Sequence, residues 1–166
     1  VFAHNLLKLR SGAFVASLSE QNEIGVKQIR LLKFDTLGNT LLFPMIATHY
    51  SSYLSDIQEF VDGELVGVGA VLDVGNSDGL VMILSQKLDL LRQEHFGASG
   101  MDALYGVKIL RDSSFVAVGA HAKRSTQEAS MWILGLDRSL RLGSTKEVAA
   151  TKNAATTSKK SSKNCR

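Results

Sequence analysis

Ser11-Gly12-Ala13-Phe14-Val15-Ala16-Ser17 aligns with Asp62-Gly63-Glu64-Leu65-Val66-Gly67-Val68 at a shift of 51. That segment aligns in turn with Asp112-Ser113-Ser114-Phe115-Val116-Ala117-Val118 at a shift of 50. The apolar positions just before them keep the same shifts: Leu6, Ile57 and Val107 form one column, and Leu9, Phe60 and Leu110 another. A second block repeats independently. Leu31-Leu32-Lys33-Phe34-Asp35 corresponds to Val81-Met82-Ile83-Leu84-Ser85 and to Ile133-Leu134-Gly135-Leu136-Asp137. Two blocks sharing one period of about 50 residues define three copies of one structural unit, and such a repeat fixes architecture more firmly than residue propensity does.

Each unit reads as four strands. The first approaches a Ser-Gly, Asp-Gly or Asp-Ser pair, residues that tolerate the positive φ of a tight hairpin turn. The second is the Phe-Val-Ala or Leu-Val-Gly run, apolar at consecutive positions, which predicts a sheet covered on both faces. The third runs over Ile29 to Phe34, Leu80 to Leu84 and Met131 to Leu136, and the fourth over Thr40 to Phe43 and Leu90 to Phe96. Arg92, Gln93 and Glu94 make that fourth strand an outer edge, where charge discourages further pairing. Ala16, Gly67 and Ala117 are small in all three units, which predicts crowding toward the axis of radially arranged sheets, the alternative being a ligand that approaches the backbone.

Composition agrees. The chain has 166 residues, 45% hydrophobic and 21% charged, with 14 Gly and one Pro, as expected for short strands and tight turns. Cys165 stands alone, so no intramolecular disulfide and no thiolate metal site is expected. From Lys146 onward six basic residues face Glu147 alone, a charge of +5. Subtraction from the total of +3 leaves −2 on residues 1–145, so the basic character belongs to an appendage and does not predict a nucleic-acid surface. Residues 149–166 are almost entirely Ala, Thr, Ser, Lys and Asn, and are expected to be disordered. No run of 18 apolar residues predicts a membrane span, and no signal peptide is visible. The start at Val1 gives the expectation of a processed chain or a fragment.

A four-stranded unit of about 50 residues is the size of a β-propeller blade. Asp78-Gly79-Leu80-Val81-Met82-Ile83-Leu84, then Phe96-Gly97-Ala98-Ser99-Gly100-Met101-Asp102-Ala103-Leu104-Tyr105-Gly106-Val107, then Asp112-Ser113-Ser114-Phe115-Val116-Ala117-Val118-Gly119, is similar to one propeller repeat. That repeat, common in secreted and cell-surface proteins, reads approximately D-x-W-L-L-K-L-D-x-x-G, F-G-G-x-x-x-D-x-A-x-x-V and D-G-G-Y-x-V-x-G. Met131-Trp132-Ile133-Leu134-Gly135-Leu136-Asp137 resembles its first block, and Asp62-Gly63-Glu64-Leu65-Val66-Gly67-Val68-Gly69 its third. The resemblance covers residues 5–142 and departs from the pattern at Ser11-Gly12 and at Ile46-Ala47-Thr48-His49-Tyr50.

The resemblance implies an all-β fold of three four-stranded antiparallel blades, an incomplete propeller, at about 1–46, 47–96 and 97–145, followed by a basic low-complexity tail at 146–166. It implies a secreted or cell-surface location, although the lack of paired cysteines also fits a reducing interior. Three blades leave one apolar face open at each end, so further blades or self-association are expected to close the set.

Candidate chemistry is sparse. His4, His49, His95 and His121 fall at different phases of the repeat and read as scattered surface residues. Gly97-Ala98-Ser99-Gly100 lacks the Lys-Ser/Thr of a phosphate loop and reads as a crossing between units. Asp73, Asn76 and Asp78 offer oxygen ligands for a cation, but without EF-hand spacing they read as turn formers, and Trp132 reads as core. No catalytic, cofactor-binding or metal-binding residue is assigned. The expected function is a non-enzymatic binding or scaffold module that meets a protein or carbohydrate partner through loops at one rim. The alternative is part of a propeller enzyme whose axial active site is completed by blades absent from this chain.

Overall fold

The computed structural model describes residues 1–97, 100–123 and 129–149. The expected tail beyond residue 149, with Cys165, and Ala98-Ser99 of the Gly-rich segment lie outside the described residues. Among the described residues the fold is all-β, with thirteen strands and no helix. The first quartet is β1 (Phe2–Lys8), β2 (Phe14–Gln21), β3 (Lys27–Phe34) and β4 (Thr40–Leu42), with a short β5 (Met45–Ile46) also on β3. The second is β6 (Ser51–Glu59), β7 (Leu65–Asp73), β8 (Asn76–Leu84) and β9 (Leu90–Phe96). The third is β10 (Gly100–Ile109), β11 (Phe115–Lys123), β12 (Ala129–Leu136) and β13 (Leu142–Ala149), so regular strand extends past position 145. Within each quartet consecutive strands pair antiparallel, which short hairpin turns permit. One parallel bridge, Met101↔Ser77, joins the second and third quartets into an eight-stranded sheet, while the first stands as a five-stranded sheet. The sheets do not close on themselves.

The repeat extends to irregular details. The register of the first strand slips at His4, at Ser55 and at Tyr105, positions separated by 51 and 50 residues. Opposite the second and third of these bulges lie Gly69 and Gly119. A Cβ at either would run into a backbone carbonyl, that of Tyr53 or of Ala103, so only glycine fits there. The expected crowding at Gly67 has a different source, because a Cβ there would lie 2.8 Å from the Leu54 side chain. The β3–β4 type turns also correspond: Gly38 has φ +86°, and buried leucines take its place at Leu88 (φ +68°) and Leu140 (φ +62°).

Alternation along the strands defines two faces. The front face carries the column Phe14, Leu65 and Phe115, and the back face carries Val15, Val66 and Val116. The back face of the first quartet, with Val15, Ile29 and Leu31, packs on the front face of the second, with Leu65, Leu80, Met82 and Leu84. The back face of the second, with Val66, Val68, Val81 and Ile83, packs on the front face of the third, with Phe115, Ala117, Trp132, Leu134 and Leu136. Only the middle quartet is therefore covered on both sides. Leu65 through Val71 are all buried, whereas β2 alternates between buried and half-buried positions. The outer units have a neighbour on one side only, which agrees with one open face at each end of three units, and the two covered faces read from the apolar runs hold for the middle unit alone. Asp56 ties all three together, accepting Asn5 Nδ2 at 3.0 Å through one oxygen and the Val107 amide at 3.0 Å through the other.

Candidate recognition rim

Antiparallel quartets place their turns at two rims. One rim holds the turns after the first and third strands of each quartet; its acidic turn residues are hydrogen-bonded within the fold, while Leu37 and Val61 stand exposed. Asp35 accepts from the Leu37 and Asn39 amides and from Asn39 Nδ2, bonds that hold its carboxyl below the usual range. Asp112 does the same with Ser114, and Asp137 caps Ser139 and Arg141. Arg138, from the third quartet, reaches Asp62 Oδ2 at 2.7 Å and Glu64 of the second, with its guanidinium 4.4 Å from the centroid of the Phe60 ring. That guanidinium also lowers the pKa of Asp62. The cluster works as a clamp between the second and third quartets, modest in energy because Asp62 is half exposed.

The opposite rim holds the turns between second and third strands and the connections between quartets. Ile24 and Val74 stand at turn tips with 83% and 98% exposure. On the same rim a cleft of about 220 Å³ is lined by Ala47, Thr48, His49, Tyr50, Val71, Gln93 and His95. Its floor is fixed by Gln28, a buried amide on β3 that donates to the Thr48 carbonyl at 3.0 Å and accepts the Thr48 amide at 2.6 Å. Thr48 Oγ1 also bonds the Tyr50 carbonyl and Ser52 Oγ, each at 2.7 Å. This connection follows Pro44, whose missing N–H separates β4 from β5 while its carbonyl takes the Leu31 amide. The segment that departs from the repeat pattern thus forms a cleft wall held by side-chain hydrogen bonds.

The histidines divide. His49 and His95 share the cleft, although the sequence places them 46 residues apart. His4 stacks on Tyr53 with centroids 5.3 Å apart and meets Ser19 Oγ at 2.9 Å; burial and Lys27 lower its pKa. His121 corrects the expectation of a surface residue. It is buried, with Nδ1 2.6 Å from Asp102 Oδ1 and its ring tilted against Trp132. Asp102 also takes the Ala122 amide, and a Cβ at Gly97 would meet the carboxylates of Asp102 and Asp78. The glycine and aspartate of the F-G-G-x-x-x-D pattern are therefore in close approach, and the Asp102–His121 pair anchors the crossing between quartets.

Asp73 and Asn76 serve their own loops: Asp73 takes the Val74 amide, while Asn76 donates to Asp78 and accepts from the Gly100 amide. Trp132 belongs to the core between the second and third quartets. Among the described residues no group of three His, Cys, Asp or Glu converges as metal ligands, and no helix is long and apolar enough to cross a membrane. No protein-family model matches the chain, and no curated protein matches it at a significant level.

Proposed function

We propose that the chain is a set of β-propeller blades acting as a non-enzymatic binding module, with the cleft between His49 and His95 as its recognition site. The observation that carries this reading is the cleft wall itself. The buried Gln28 amide and two hydroxyl contacts fix Thr48 to Tyr50 before any partner arrives, which lowers the ordering cost of binding. Two imidazoles, a tyrosine and Gln93 supply hydrogen bonds and stacking area around a pocket sized for a single side chain or sugar ring. Ile24 and Val74 stand exposed at turn tips of the same rim, and apolar side chains there favour a protein segment over a glycan. Three quartets of matching register, packed front to back, support the blade reading. The alternative of a propeller enzyme has less support, because the buried Asp102–His121 pair is used in holding a connection.

Peptide and glycan arrays probed with the labelled chain test this proposal. A peptide class should bind, and Tyr50→Ala or His95→Ala should lower that signal at least about tenfold, while Lys108→Ala leaves it unchanged. Equal signals for the three variants, or binding confined to glycans, would overturn the reading.

A further inference from the structure

The front face of the first quartet and the back face of the third are open, and they are register equivalents of the faces that the chain already packs together. On the open front, Leu6, Ala16 and Leu32 form one cross-strand row and Phe14 and Phe34 another, the two rings stacked with centroids 5.4 Å apart. Leu6 is 61% exposed. On the open back, Val118 pairs with Ile133 and Ala120 with Met131, and Val118 and Met131 are exposed. These positions are as apolar as Val68, Val81 and Ala70, which fill the same columns in the buried back face of the second quartet. An unpartnered surface of this kind, at both ends of a stack that uses such surfaces internally, is built for burial.

The open back face also carries a hollow. Gly135 stands where the second quartet has Ile83, and Ser144 Oγ lies over it, 2.6 Å from where a Cβ would stand. Beside it Val116, Leu110 and Leu142, together with Ser114, Asp137 and Arg141, line an open depression of about 490 Å³. It lies within one residue of the register level of Phe14 and Phe34 on the other open face, so the apolar part of its lining faces their row in a front-on-back contact.

We propose that the occupant is a second copy of this chain, with the front face of one first quartet seated on the back face of the other third quartet. The contact is polar in direction, front on back, so a reciprocal pair satisfies all four open faces and closes a ring of six quartets. This rests on the blade reading proposed above, but it does not depend on the recognition cleft.

Sedimentation of the full chain across a range of concentrations tests the proposal, with Leu6→Glu and Val118→Glu as face variants. Both residues are exposed, and far-UV circular dichroism with a thermal melt checks that each variant folds. The wild type should sediment as a two-copy species. Each variant alone should raise the dissociation constant at least about 30-fold by placing a charge in the apolar contact. A folded wild type that stays monomeric overturns the ring. So does open-ended growth, or a pair that only one of the two variants disrupts, since that pattern marks a front-to-front or back-to-back contact. A monomer whose peptide binding still depends on Tyr50 and His95 removes the ring and leaves the recognition reading standing.

Discussion

Alanine at position 119 gives a sharp test of the bulged-strand geometry. The new Cβ would fall far inside van der Waals contact with the Ala103 carbonyl oxygen, with the Ala103 carbonyl carbon and Leu104 Cα both 2.9 Å away. All three atoms are backbone, so no side-chain rotation relieves the overlap, and β10 must separate from β11 at the bulge. Overpacking of a core by a methyl group costs about 1–3 kcal/mol where side chains can shift. With none to shift, and ladder hydrogen bonds lost as the strands part, Gly119→Ala should cost about 3 kcal/mol or more. Two other glycines supply the scale. At Gly67 the methyl meets the Leu54 side chain at 2.8 Å, which is buried but can turn about its own bonds where backbone cannot, for an expected cost of about 1–2 kcal/mol. At Gly106 it meets only Val118 Cγ2 at 3.4 Å, and the reduced freedom of the unfolded chain offsets that contact to within about 0.5 kcal/mol. Urea unfolding followed by circular dichroism, compared at a common m-value, measures the series. A Gly119→Ala midpoint indistinguishable from that of Gly106→Ala would refute the close approach and the bulge it depends on.

Three other outcomes follow from particular side chains. Leu88→Gly relieves a left-handed backbone worth about 1–2 kcal/mol but removes a fully buried leucine worth about 2–5 kcal/mol, so urea titration should show a net loss centred on about 2 kcal/mol. The His4 pKa lies below its ordinary value, so the folded state holds fewer protons than the unfolded chain as the pH falls from about 6.5. Stability is full above that value and declines through the lowered pKa on acidification, and His4→Gln should flatten the dependence of the urea midpoint on pH between about 7 and 5. Gln28→Ala leaves the Thr48 amide and carbonyl without their partner, so hydrogen exchange at Thr48 should accelerate at least about tenfold.

The three-unit organisation was legible because two apolar blocks recur at one spacing, and their strands occupy matching positions in each quartet. Face coverage was legible from the count of units and not from the strands themselves. Phe14, Leu32 and Phe34 are as apolar as Leu65, Met82 and Leu84, their interior counterparts, and what leaves them half-buried is their place at the end of a stack, which no local pattern records. His121 was misread as a surface residue because its partner Asp102 lies 19 residues away across an antiparallel pair, a separation that no linear motif encodes. The cleft was hidden for the same reason. Gln28 reaches Thr48 across 20 residues, and a glutamine in a third strand looks like ordinary solvent-facing polarity until its burial is seen. The one textual sign was the loss of the repeat pattern from Ile46 to Tyr50, where the chain exchanges a stereotyped crossing for a wall of its own design.

Asp56, whose two oxygens answer to Asn5 on one side and to the Val107 amide on the other, makes the order of the copies matter. Its counterparts one period away are Asn5 and Gly106, neither of which has a carboxylate to offer in both directions. Exchanging the middle copy with either flank would strand a charged oxygen or an amide without a mate. Duplications of this chain therefore cannot be shuffled like beads: the keystone has one place, and a deletion through it should release both neighbours at once.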